Sequence, residues 1–169
     1  MAFKEIASIT DALVDLGDDS RLWIFQADRS LSNHEQANVQ RWLDDFMPKW
    51  TSHNRSLKAK SVVAYDRFII VALDEVVSNA ASGCSIDSMT HHIQAIANQL
   101  SINLMDRVTF CFMLEDQVQG IHMNEVSNAL KRGAISEQSL VFNNLIKTKR
   151  ELASDWLVPI NQSWQKRFL

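Results

Sequence analysis

The string Ser82-Gly83-Cys84-Ser85-Ile86-Asp87-Ser88 sets a thiol, hydroxyls and a carboxylate at the start of an apolar helical pattern. Amides in the first turn of a helix lack intrahelical partners, and the helix dipole adds partial positive charge there. A thiolate at Cys84 or a small bound anion would be stabilised in that place. Ser82, Gly83, Cys84, Ser85 and Asp87 are therefore candidate anion or ligand contacts, with Cys84 as the candidate nucleophile or redox thiol. The same residues also make an ordinary helix start, in which Ser85 caps, Asp87 complements the dipole, Gly83 permits the turn and Cys84 fills a small space. Phosphatase chemistry would need an arginine six residues after the cysteine, and that position is Thr90. A cysteine hydrolase would need a histidine within reach, but at ~1.5 Å rise per residue His91 lies about 10 Å along the helix from Cys84. His92 is similarly distant, which leaves His34, His53 or His122 to be delivered by the fold. Adjacent His91 and His92 point to different faces and make a poor chelate, so no metal is expected.

A second string, Val141-Phe142-Asn143-Asn144-Leu145-Ile146-Lys147-Thr148-Lys149, offers amides and lysines that suit a carboxylate or a peptide backbone. Asn143, Asn144 and Lys147 are its candidate contacts, set against a plain Asn-Asn turn with Thr148 as a cap. Nucleotide chemistry has no sequence support: GxxxxGK[ST] is absent, and the isolated glycines Gly17, Gly83, Gly120 and Gly133 cannot make GxGxxG. No cofactor is expected. Carboxylates such as Asp66, Asp74 and Glu75 are plentiful, but sequence alone promotes no pair of them to acid and base.

The whole-chain numbers narrow the field. With 169 residues and a net charge of −3, the chain has the size of one main domain and no basic stripe for a phosphate backbone, so nucleic acid is an unsuitable partner. Lys4, Glu5, Asp11, Asp15, Asp18 and Asp19 interrupt any early apolar run, and no later run approaches the ~20 residues of a membrane span. Cys84 and Cys111 are the only cysteines and lack a CxxC spacing, which fits reduced thiols in a cytoplasmic protein.

Elements that would position these strings can be laid out in order. Leu22 to Gln26 predicts a buried strand. Ser32 and Glu35 have capping-box spacing ahead of the stripe Val39, Trp42, Leu43, Phe46 and Met47, and Pro48 ends that helix. Leu57 to Tyr65 alternates as an edge strand, Asp66-Arg67 turn, and Phe68 to Leu73 form a strand covered on both sides. Ile86, Met89, Ile93, Ile96, Ala97 and Leu100 share one helix face, and Val108 to Leu114 alternate again. The order β-α-β-β-α-β predicts an α+β protein with a ferredoxin-like core, both helices on one face of four antiparallel strands. Beyond it, Val118 to Met123, Asn124 to Lys131 with Gly133 as its stop, Leu140 to Phe142, and Lys147 to Trp156 predict added strands and short helices, which makes a more open mixed sheet of more than four strands the competing topology. The expected division is an N-terminal helix or arm over 1–20, the core over 21–115, and an extension over 116–169 docked by Trp156, Trp164 and Phe168.

With these strings in hand, the chain resembles an uncharacterised bacterial protein family whose members are often labelled ABC transporter ATPase. The likeness spans nearly the whole chain and rests on Trp23 to Gln26, Tyr65 to Ile70, Ser82 to Ser88, Val141 to Lys149 and Ser163 to Phe168. It implies no site residues, and the ATPase label conflicts with the missing phosphate-binding loop. Leu114 to Phe142 also resembles small GYF-like peptide-binding modules in local shape, with Ile121 standing where those have proline. The function expected is a soluble, non-catalytic binding or regulatory protein for a peptide, protein partner or small anion. The alternative is an enzyme using Cys84 at a helix N-terminus, and a homodimer is left open.

Overall fold

The computed structural model describes residues 2–78 and 80–169. Met1, in the expected N-terminal arm, and Asn79, in the stretch before the second expected helix, lie outside the described residues.

Helix α1 (Ala2–Ala12) opens the chain and turns Ile6 and Ile9 inward. Strand β1 (Arg21–Gln26) follows, then α2 (Asn33–Phe46), which the Ser32 and Glu35 capping box starts. Pro48 ends it by tightening Met47–Lys49 into a 3-10 turn. A small hairpin, β2 (Thr51–Ser52) with β3 (Arg55–Ser56), leads into β4 (Ala59–Ala64) and β5 (Phe68–Leu73). The turn between β4 and β5 centres on Tyr65 and Asp66, both at positive φ, one residue before the expected Asp66-Arg67. Next come α3 (Gly83–Leu100), β6 (Thr109–Leu114), β7 (Gln117–His122), α4 (Val126–Lys131), β8 (Leu140–Phe142), α5 (Lys149–Ser154) and β9 (Leu157–Pro159).

The chain is α+β, and its long strands form two sheets. The first has the order β1-β5-β4 with antiparallel neighbours, and the second has the order β7-β6-β8-β9. The first order is that of the initial three strands of a ferredoxin-like sheet, whose fourth strand would lie beside β1. Thr109–Leu114, expected there, instead pairs with β7 and β8. Two local causes are visible. Asp106 accepts the N–H groups of Val108 and Thr109 at 2.9 and 3.2 Å, which turns the chain away from β1. Glu115 and Asp116, both at positive φ, then close a two-residue hairpin that supplies β6 with a partner immediately. The division expected at residue 115 falls inside this hairpin.

Strand alternation divides the core. Trp23, Phe25, Ile69, Val71 and Leu73 meet α2 and α3 on one face of the first sheet. Leu22, Ile24, Phe68 and Ile70 meet α1 together with Cys111, Met113, Phe142 and Trp156 from the second half. Phe110, Phe112 and Val141 face the other way, toward α4 and the C-terminal turns that carry Trp164 and Phe168. The two halves thus share one apolar layer. No helix of the described residues is long and apolar enough to cross a membrane.

Candidate functional site

Sheet edges with unpaired backbone groups invite another chain, and the two edges of the first sheet are treated differently. On β4 the side chain of Gln40 covers part of the edge, accepting Val63 N–H at 3.0 Å and donating to Ser61 O at 3.1 Å. On β1 the cover comes from backbone at the two ends of the strand. Ala27 N–H donates to Arg67 O at 2.8 Å, and the β1–β5 register therefore directs the backbone groups of Trp23 and Phe25 toward β5. Those of Leu22, Ile24 and Gln26 point outward. Leu22 N–H donates to Lys147 O at 2.8 Å, Arg21 bridges Thr148, and Gln26 bridges Met105. Ile24 lies between these closures, and no described residue takes its backbone N–H or C=O.

A cleft of about 560 Å³ opens along this edge, walled by β1, the 104–110 segment, the 142–147 segment and the start of the final turn at Trp164 and Gln165. That volume falls within the range of small-ligand sites. Its walls are mainly apolar. Leu145 is 62% exposed among the lining residues. Arg107 and Lys147 both line the cleft and are exposed, and neither forms an ion pair with a described acid. Asp106 also lines it, with one carboxylate oxygen turned to its own loop amides.

A chain of hydrogen-bonded amides holds the floor. Trp156 Nε1 donates to Asn144 Oδ1 at 3.0 Å, Asn144 Nδ2 donates to Gln26 Oε1 at 2.9 Å, and Gln26 Nε2 donates to Thr109 O at 2.9 Å. An indole N–H only donates and a carbonyl only accepts, so the two ends fix the orientation of both amides between them. This chain ties β1 to β6 and to the segment between β8 and α5.

The candidate residues fall in different places. Asn144 and Lys147 line the cleft, the first as a structural link and the second as an exposed cation whose charge helps to lower the Glu151 carboxyl. Asn143 serves the turn: its N–H and Nδ2 donate to Trp156 O and Asp155 O, and its Oδ1 accepts Leu145 N–H. Lys149 is 7% exposed and donates to Leu16 O at 2.7 Å, so it faces inward. Ser82, Gly83, Cys84, Ser85 and Asp87 gather apart from the cleft, at the start of α3. Ser82 rather than Ser85 is the cap, accepting Ser85 N–H at 3.2 Å, so the helix begins earlier than Ser85. Ser85 is buried and its carbonyl accepts Trp50 Nε1 at 2.7 Å, while Asp87 is exposed. Gly83 has open space around the position of a Cβ.

Cys84 is exposed, and no hydrogen bond joins it to a histidine among the described residues. His92 stacks on Phe46 with ring centroids 4.3 Å apart, and its Nε2 lies 3.2 Å from Trp42 O, so it packs between α2 and α3. Cys111 is buried, and burial pushes its thiol up to about 12 despite the nearby Arg67 guanidinium. Among the described residues no cluster of His, Cys, Asp or Glu is arranged to hold a metal ion.

Sequence reasoning missed Gln26, Arg107, Leu145, Trp164 and Gln165 as cleft residues. One signal was present: Gln26 is polar at the end of an otherwise bulky apolar strand, and it is 4% exposed. No family model, curated protein or solved structure matches this chain.

Proposed function

We propose that this is a binding protein that captures an extended segment of a partner in the cleft along β1. The observation that carries the reading is Ile24, whose backbone pair is left open inside a lined cavity, whereas Gln40 closes part of the other edge of the same sheet. An added strand would take both groups of Ile24, as in β-strand addition, while side chains on either side enter the apolar walls. We read the open edge as the position of the fourth strand in a ferredoxin-like order, left vacant because β6 is held in the second sheet. The bacterial-family resemblance adds no activity to this reading.

The test uses the full chain and fluorescein-labelled hexapeptides randomised over the last three positions. Binding is read by polarisation and by the emission of Trp23 and Trp164, which both line the cleft. Leu145→Glu, at an exposed wall position, is expected to abolish binding with an unchanged thermal midpoint. Binding that survives this change, or a library in which no pool binds, rejects the cleft as the recognition site.

A further inference from the structure

The occupant can be narrowed further, on the strength of the binding reading above. An extended chain that ran the length of β1 would collide with covers already in place: Lys147–Thr148 at the Leu22 end and Met105 at the Gln26 end. The stretch between these closures spans roughly 13 Å at the rise of a strand, with one residue's pair of backbone groups free in its middle. A segment entering from solvent has room to pair with Ile24 and must then stop or turn out. The wall charges distinguish between the two kinds of chain end. Arg107 and Lys147 line the cleft without a salt bridge to a described acid; Glu151, outside the lining, feels the charge of Lys147, and Asp106, the one lining carboxylate, has one oxygen committed to Val108 and Thr109 N–H. An ammonium terminus would meet a surplus of like charge, whereas a carboxylate would be attracted.

We propose that the cleft takes the carboxy-terminal end of a peptide chain. The last amide of that chain pairs with Ile24, an apolar side chain rests near Leu145 and Trp23, and the terminal carboxylate is drawn to Lys147 and Arg107. Trp23 is stiffened for this contact by Arg21, whose guanidinium lies 4.5 Å from the centre of its ring, and by an edge contact with Trp50 at 5.9 Å.

The experiment compares the hexapeptide pools with a free carboxylate against the same pools capped as carboxamides, and adds N-acetyl-leucine as a third probe. Free acids are expected to bind about tenfold more tightly than carboxamides, the effect of two partly screened charge contacts. That preference should vanish in the double variant Lys147→Gln with Arg107→Gln, two exposed sites whose change leaves the thermal midpoint in place. Equal affinity of acids and carboxamides overturns the terminal-carboxylate proposal while leaving the cleft as a peptide site. N-acetyl-leucine binding as tightly as the best hexapeptide overturns the chain-end assignment in favour of a small acylated amino acid. If no pool binds and the Ile24 amide responds to none of them, the binding reading itself falls.

Discussion

Replacing Asn144 with alanine removes the middle link of the amide chain beneath the cleft. Trp156 Nε1 would lose its acceptor and Gln26 Oε1 its donor, in residues that are 0% and 4% exposed. A buried polar atom left without a partner costs roughly 1–3 kcal/mol, so the pair would cost up to about 6 kcal/mol. Asn144 itself is half-buried and water can enter the space it vacates, which brings the expectation down to about 2–4 kcal/mol. For a chain of this size that is a fall of roughly 5–15 °C in the melting midpoint. Urea unfolding followed by tryptophan emission measures it directly. A second background separates the two links. In Trp156→Phe the indole donor is already gone, so Asn144→Ala should cost about 1 kcal/mol less there than in the parent chain. A loss under about 0.5 kcal/mol, or full additivity of the two substitutions, would refute the argument that this chain of amides holds the two sheets together.

Other consequences can be measured separately. Burial raises the carboxyl of Glu5 above its ordinary value, against the lowering effect of a hydrogen bond from Tyr65 N–H, and the charge of Asp66 raises it further. A carboxyl raised on folding favours the fold below its unfolded value of about 4.3, and that contribution is lost as pH rises through the folded value. Glu5→Gln is therefore expected to raise the urea midpoint at about pH 7 relative to that at about pH 4, compared with the parent chain, and an unchanged difference between the two pH values contradicts the assignment. Gln40→Ala removes both side-chain bonds that cover β4, with an expected loss of about 1–2 kcal/mol and concentration-dependent association on a sizing column. Iodoacetamide should modify Cys84 alone in the native protein and Cys111 only after denaturation, as intact mass would record, since Cys84 is exposed and Cys111 is buried with its thiol pushed up to about 12. Two rapid modifications under native conditions would contradict the packing of β6.

Features legible in the sequence are those set by neighbours along the chain. The Ser32 and Glu35 cap, the stop at Pro48 and the six buried residues of β5 follow from spacing and periodicity over one or two turns. Thr148 stands at the start of α5, where the Glu151 carboxylate accepts both its N–H and its hydroxyl, in keeping with the capping role weighed for Thr148. The period of two in Thr109–Leu114 marked a strand, but alternation carries no information about which strand lies alongside. That choice was made by Asp106, whose carboxylate turns the chain, and by the tight hairpin at Glu115-Asp116. The cleft was hidden for a similar reason. Its walls come from β1, the stretch before β6, the turn after β8 and the final turn, and only the assembled sheets bring them together. Asn144 was found by its chemistry, yet its partners Gln26 and Trp156 lie 118 and 12 residues away, and they make it a link in the floor. Ser82 and its neighbours were noticed for unpartnered amides, and the Ser82 hydroxyl takes up one of them.

Hydrogen exchange of single β1 amides, resolved by NMR in the unliganded full chain, tests the central claim most directly. Trp23 and Phe25 donate toward β5 and should exchange slowly, and Leu22 should be held by Lys147 O. Ile24, between them, should exchange orders of magnitude faster than either neighbour and become protected when a peptide pool binds. An Ile24 amide as slow as those of Trp23 and Phe25 in the free protein would mean that the edge of β1 is already closed, and the cleft would lose the feature on which its function rests.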